Sequence, residues 1–414
     1  MKVFKFGGAS LRNAAAIRNT AAIVKSNADV PLVVVVSAMG KTTNALESIL
    51  NTFVKGGDYQ TDLDLLKNYH FQVCDELFAT DHKIAPQLNS LFDELSKKVK
   101  HPGDDDLVYD QVVSMGEVIS SFIVEKYLSS IGLNATWLDS RKYILTDSTF
   151  REGKVQWKET FDNMAALRPI LQKNMVVTQG FIGATREGLT STLGREGSDF
   201  TAAIYASCLQ AESVTIWKDV PGVMSADPKR LPNSVVFPEL PYKEAAEMTY
   251  YGASVIHPKT IQPLALKEIP LLVKSFENPS LPGTKIHECH VDQLPPLIVF
   301  KENQCLISCK VTDYTFVSEQ QLSIIFQAIS ELDIKINVMQ NSAISFSFCI
   351  DFRESKVMAL IDKLQHKFEV YYNTGLTLIT VKNYNEETFN AYRRKSGVLI
   401  EQSSRSTLQV LLKL

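Results

Sequence analysis

The first group in this chain that could do chemistry is Lys5-Phe6-Gly7-Gly8-Ala9-Ser10. Glycines let backbone N–H groups approach phosphate oxygens, and an ammonium neutralises their charge. An edge-strand lysine before a tight turn accounts equally well for the same residues. Gly40-Lys41-Thr42 invites a P-loop reading, but that motif needs a glycine five positions before Gly40, and Val35 stands there. A P-loop NTPase is thereby excluded, although residues 37–44, Thr43 among them, still offer hydroxyls at a strand-to-helix junction. Gly194-Arg195-Glu196-Gly197-Ser198-Asp199-Phe200-Thr201 is a glycine-bracketed loop running into a helix start. Anions bind at such starts, and Arg195 can fork onto a carboxylate. Plain capping by Ser198 or Asp199, with Arg195 in solvent, is the competing explanation. Trp217-Lys218-Asp219-Val220-Pro221-Gly222 and Asp227-Pro228-Lys229 place lysines and aspartates in a strand-end loop that suits a nucleotide, or simply a turn started by Asp and Pro. Glu117 sits on an apolar helical stretch, where a surface glutamate is the plainer expectation. His287-Glu288-Cys289-His290, with Cys305 and Cys309, matches no familiar zinc spacing, and no protein metal site is assigned.

The elements that would position these groups alternate. Strands are expected at residues 3–6, 32–36, 175–178 and 214–217. Helices are expected at 13–26, from 43, across 62–100 with a break near Pro86, and at 111–131. Strand–loop–helix units of this kind predict an α/β domain with a mainly parallel sheet. Ligands then bind where loops leave the carboxyl ends of the strands. Pro279–Gly283 and Pro295-Pro296 punctuate the chain and mark a boundary, giving a domain at 1–292 and a second region at 297–414. There the rhythm changes to two small αβ sandwiches of ferredoxin-like type. The first is expected at about 312–371, and the second at about 372–414, completed by 297–311.

Composition narrows the class. The 414 residues carry a formal net charge of −3 with acids and bases mixed, so no nucleic-acid surface is expected. The six cysteines form no disulfide framework. No signal peptide precedes the first strand, and no apolar run approaches the ~20 residues that span a bilayer. A soluble, cytoplasmic protein acting on small molecules is the expectation, without a membrane partner.

Taken in order, Lys5-Phe6-Gly7-Gly8, Gly194-Arg195 with Gly197-Ser198-Asp199, Asp219-Val220-Pro221-Gly222 with Ala226-Asp227-Pro228, and Tyr251-Gly252-Ala253 with His257-Pro258 resemble the aspartokinases of the amino-acid kinase family. The resemblance covers essentially the whole chain. It implies an amino-acid kinase fold followed by tandem ACT units, and transfer of the ATP γ-phosphoryl to L-aspartate, giving 4-phospho-L-aspartate. That is the first step toward lysine, threonine and methionine. Mg²⁺ would accompany ATP, and a homodimer is implied. By the same resemblance Lys5 and Asp199 are catalytic, and Thr43, Glu117, Arg195 and Ser198 bind aspartate. Gly7, Gly8, Ser10, Lys218, Asp219, Met224, Asp227, Lys229, Ser254 and His257 fall at nucleotide positions. Asn337 and Ser342 fall at an amino-acid effector position. Ala9, Lys218, Met224, Lys229 and Ser254 depart from the usual residues. No Gly-x-Gly-x-x-Gly occurs, so a monofunctional kinase rather than a homoserine dehydrogenase fusion is expected. A carboxylate acceptor is already ionised at neutral pH, so the reaction needs no general base. Two other readings stay open: a kinase of the same fold for a glutamate-type acceptor, and a catalytically weak amino-acid sensor.

Overall fold

The computed structural model describes residues 1–78, 84–253, 256–312 and 315–413. Two compact units emerge. The first comprises Met1–Val223, Val236–Ala246 and Ser254–Val291; the second comprises Met224–Val235, Glu247–Ala253 and Asp292–Leu414. Residues 224–235 and 247–253, expected within 1–292, thus cluster with the C-terminal region.

In the first unit the strands are β1 (Lys2–Phe6), β2 (Leu32–Val36), β3 (Ala135–Leu138), β4 (Met175–Gln179), β5 (Ile182–Ala184), β6 (Thr190–Thr192), β7 (Ser213–Lys218), β8 (Glu239–Pro241), β9 (Leu271–Ser275) and β10 (Thr284–His287). Eight of them form one sheet in the order β3-β4-β2-β1-β7-β9-β10-β8, while β5 and β6 pair separately. Every pairing in the large sheet is parallel except β9 with β10. A mainly parallel sheet is covered on both faces, which is why β2 is an unbroken Leu-Val-Val-Val-Val run, buried at each position. β1 lies at the centre, with Lys5 opposite Val35 of β2 and Ile216 of β7. Its side chains alternate between faces. Phe4 and Phe6 enter the hydrophobic core, Phe6 stacking on Trp217 at 6.0 Å between ring centroids. Val3 and Lys5 take the other face.

The expected helices form with sharper ends. Ala14–Lys25 is capped by Asn13, whose side chain accepts from Ala16 N at 2.9 Å. The 62–100 stretch becomes Gln60–Phe78 and Ala85–Val99. The 111–131 stretch becomes Asp105–Val113 and Met115–Ser130. Asp105–Ser130 is, by length and composition, apolar enough to cross a membrane, but its apolar window is 78% buried inside the protein. Helix Met115–Ser130 is buried nearly all round, the pattern of a core helix.

In the second unit β11 (Leu297–Val311), β12 (Ile336–Asn341), β13 (Ser345–Asp351), β14 (Phe368–Lys382), β15 (Val398–Ser403) and β16 (Thr407–Leu412) form one antiparallel sheet, in the order β12-β13-β11-β14-β16-β15. Helices Glu319–Glu331 and Glu386–Arg393 each begin with a capping box, Ser318 with Gln321 and Asn385 with Thr388. The two small αβ units expected here share this sheet because β11 and β14 each run for 15 residues through both. Leu297–Lys301 pairs with the end of β14, whereas the stretch from Gln304 to Lys310 pairs with β13 and the start of β14. A register shift between Lys301 and Gln304, at left-handed Asn303, separates the halves. The 297–311 strand therefore serves both units, not the second alone.

Phe6 is fully buried against Trp217 at the strand that carries Lys5. Phe6→Ala should lower unfolding free energy by about 3–5 kcal/mol; urea denaturation measures it, and a loss under 1 kcal/mol would mean the stack does not brace β1.

Candidate active site

β1, β2 and β7 are parallel neighbours, so their carboxyl ends open on one edge of the sheet. Lys5 and Lys218 sit at two of these ends, and helix Gly197–Leu209 begins beside them. Asp199 lies in its first turn and links all three elements. Its Oδ1 is 2.6 Å from Lys5 Nζ and its Oδ2 is 3.6 Å from Lys218 Nζ. Asp199 is buried, and burial alone would raise its pKa. The Lys5 and Lys218 ammoniums outweigh that and hold it below the ordinary carboxylate range. The group is an anion carrying two cations, a net positive centre, and not a base.

Close backbone approach shapes the floor. Gly40 N donates to Gly8 O at 3.0 Å. A Cβ on Gly8 would lie 2.7 Å from the Gly40 carbonyl oxygen, so only glycine lets the β1 and β2 loops meet. A Cβ on Gly180, just past β4, would lie 2.5 Å from Ser198 Cβ.

These walls enclose a cavity of about 520 Å³ that brings together Lys5, Gly8, Thr43, Glu117, Arg195, Ser198, Asp199 and Lys218. All were read from the sequence. Glu117, expected as a surface glutamate, is only 3% exposed. Its Oε1 accepts from Ala38 N at 3.2 Å, and its Oε2 has no partner. Burial pushes its pKa up to about 8, against the Ala38 hydrogen bond and the Lys5 charge, which act downward. The cavity therefore holds a carboxyl with an unsatisfied oxygen, which a bound ammonium would satisfy. Capping also differs from expectation: Glu196, at φ 53°, is the N-cap of helix Gly197–Leu209, not Ser198 or Asp199, and Arg195 lines the cavity.

The other sequence-predicted residues fall elsewhere. Gly7 adjoins Lys5 Nζ, where a Cβ would stand 3.4 Å away. Ser10 is buried and its hydroxyl donates to Gly7 O at 2.9 Å, which braces the turn. Asp219 is exposed beyond β7. His257 caps helix Pro258–Ala265, accepting from Lys259 N at 3.2 Å. Burial lowers its pKa. Met224, Asp227 and Lys229 belong to the second unit, where Asp227 accepts from Lys229 N at 2.9 Å in a turn. Ser254 lies outside the described residues. Asn337 accepts from Lys301 Nζ at 2.9 Å and donates to Gln304 and Asp351, while Ser342 donates to Ser345 O at 3.1 Å. Among the described residues one grouping could hold a metal ion, Glu239, His287 and Cys289, with ligand atoms within 4.8 Å of one another, and there His287 already pairs with Glu239 at 2.9 Å.

Sequence reasoning missed Tyr109, Arg151 and Phe181 in the cavity wall, whereas Ser37, Ala38 and Gly40 fall in the 37–44 loop, and Glu196 in the 194–201 loop, that it did single out. Three of them, Arg151 (φ 63°), Phe181 (φ 70°) and Glu196, are left-handed. Only eight non-glycine residues among those described are left-handed, so backbone strain concentrates at this cavity.

Asp199→Ala would leave two largely buried ammoniums without their counterion, at a cost of about 3–5 kcal/mol. Because the folded pKa of Asp199 is depressed, its contribution is present above the ordinary carboxylate range and is lost only as pH falls through the depressed value. Wild type should therefore exceed Asp199→Ala in stability by a constant margin from pH 8 to 5, and the gap should close in stronger acid. Denaturation midpoints across pH measure this, and a margin that shrinks between pH 8 and 6 would contradict the assignment.

Residues 1–275 match the amino acid kinase family. The lysine-sensitive aspartokinase 3 of Escherichia coli (strain K12) is 30% identical over 393 residues, covering 92% of this chain and 86% of its own length. The bifunctional aspartokinase/homoserine dehydrogenase of Buchnera aphidicola is 28% identical over 92% of this chain, which spans 50% of that protein. The crystal structure of E. coli aspartokinase III in complex with aspartate and ADP superposes with a TM-score of 0.84 at 27% identity, covering 100% of this chain and 96% of that one. The aspartate kinase of Clostridium acetobutylicum shares the fold, with a TM-score of 0.80 at 22% identity, covering 100% of this chain and 96% of that one.

Proposed function

The chain belongs to the amino acid kinase family, among its aspartokinases, and from that premise we propose that it transfers the ATP γ-phosphoryl to the β-carboxylate of L-aspartate. The observation that carries this reading is a single cavity holding the Lys5–Asp199–Lys218 centre, a guanidinium at Arg195 and a buried carboxyl at Glu117 with a free oxygen. Those groups complement a phosphoryl, a carboxylate and an ammonium. Arg195 binds the α-carboxylate, Glu117 the ammonium, and Thr43 and Ser198 supply hydroxyls. The β-carboxylate is ionised at neutral pH and attacks without a base. Lys5 and Lys218 neutralise charge on the phosphoryl group in transit. Asp199 positions both lysines.

Among the described cavity residues Asp199 is held by two ammoniums and Glu117 by Ala38 N, and one buried oxygen on each of Glu117 and Glu196 has no hydrogen-bond partner. That donor set suits a Mg²⁺ carried by phosphate oxygens and water, not one caged by protein. Bound there, Mg²⁺ would neutralise phosphate charge. Gly7 and Gly8 line the phosphate track, and Asp219, Met224, Asp227, Lys229, Ser254 and His257 are assigned to the nucleotide by family correspondence. The protein is proposed to be a cytoplasmic homodimer. Asn337 and Ser342 mark an amino-acid effector position, where an effector would compete with the Lys301 ammonium for Asn337.

An assay of ADP release tests this reading. Mg-ATP with aspartate should turn over, glutamate and acetylglutamate should not, and Lys5→Ala should lose at least ~100-fold in kcat. No acceptor-dependent turnover in the wild type would sink the proposal. The pH dependence is a second check. With the free-enzyme pKa of Glu117 at about 8, binding an ammonium below that pH must expel a proton. The aspartate KM should fall as pH rises from 6 to 8, then level, and Glu117→Gln should raise it and flatten the profile. A wild-type KM constant over that range would mean that Glu117 does not receive the ammonium.

A further inference from the structure

Arg151 was not among the residues the sequence singled out. It is a left-handed residue with a large side chain, at φ 63°. Such a conformation persists only where the surroundings enforce it. The enforcing group is Asp110, which is fully buried. Its Oδ2 accepts from Arg151 N at 2.9 Å and from Thr192 N at 2.8 Å, and its Oδ1 accepts from Thr192 Oγ1 at 2.7 Å. Two residues on, Gly153 N donates to Thr192 O at 2.8 Å. The backbone is thus pinned from both sides.

The pinned backbone delivers a guanidinium to the cavity wall. Its carbon lies 4.1 Å from the Tyr109 ring centroid, and the Tyr109 hydroxyl is fixed by donation to Glu47 Oε1 at 2.7 Å. The ring sets the plane of the guanidinium. Arg151 forms an ion pair with Asp106, at 2.5 Å, with side chains 48% and 61% exposed. An exposed pair of this kind is worth little, so exchanging Asp106 for a ligand carboxylate costs little. The backbone of Arg151 also lies beside the segment that carries Arg195. A Cβ on Gly194, next to Arg195, would lie 3.5 Å from the Arg151 carbonyl oxygen.

We propose that Arg151 is a second acceptor-binding guanidinium, which with Arg195 recognises an amino acid bearing two carboxylates. The inference rests on the proposed aspartate kinase reading and deepens it. One guanidinium suffices for a monocarboxylate; two on adjoining segments of one cavity match a dicarboxylate, and binding draws Arg151 away from Asp106.

Glycine is the informative substitution, because it accepts the left-handed backbone while removing the guanidinium. Arg151→Gly should keep a Tm close to the wild-type value, raise the aspartate KM about tenfold and leave the ATP KM unchanged. Arg151→Asn, which also tolerates this conformation, should behave alike, and Arg151→Lys should recover part of the loss. An aspartate KM within twofold of wild type in Arg151→Gly, or an equal rise in both KM values, would overturn the proposal. Wild-type enzyme inactive with aspartate would instead overturn the function on which it rests, so the two failures are distinguishable.

Discussion

Asp199 is the point on which the site depends. It stands at the first turn of a buried helix, between lysines from two neighbouring strands, and it is nearly inaccessible to water. Two ammoniums this close would repel each other strongly in a low-dielectric interior. The intervening carboxylate makes their approach tolerable and leaves one positive charge in excess, at the end of the sheet where phosphates are expected. The parallel order β2-β1-β7 exists, for function, to set those strand ends side by side.

The same constraint settles the division of labour. A carboxylate held below its ordinary pKa cannot serve as a base at neutral pH, and a carboxylate acceptor needs none. Glu117 sits in the opposite condition, buried with one oxygen unsatisfied and its pKa raised to about 8. Environments that drive two carboxyls apart in pKa assign them different roles. Here one fixes cations belonging to the protein, and the other awaits a cation belonging to the ligand. Left-handed residues gathered at the cavity wall add to this pre-organisation, holding Arg151, Phe181 and Glu196 in conformations the chain would not adopt by itself.

Much of this was legible in the sequence, for identifiable reasons. Lys5, Thr43, Arg195, Ser198, Asp199 and Lys218 lie at strand ends or helix starts, and glycines and short apolar runs advertise such junctions. Glu117 was visible as a residue, but its burial was not, because a helix apolar on all sides gives no face to orient against. Arg151 and Phe181 carried no signal, since a positive φ in a non-glycine residue leaves no mark on composition or periodicity, and Tyr109 lies within helix Asp105–Val113 with nothing in the sequence to mark the face it presents to the cavity. Strands β3, β5, β6, β8 and β10 have three or four residues each and were not assigned, being too short for alternation to establish a period, and five-residue β9 was not assigned either. The shared role of 297–311 depended on a register shift at Asn303 that only pairing reveals.

The central claim is that Asp199 acts through the lysines it holds and not as a base. A double-mutant cycle in kcat, comparing Lys5→Ala, Asp199→Asn and the combination, tests it most directly. If Asp199 works by placing Lys5, adding Asp199→Asn to Lys5→Ala should slow the enzyme little further, so the two losses will be far from additive. Multiplicative losses in the double variant would show that Asp199 does something of its own in the reaction, and would contradict the account.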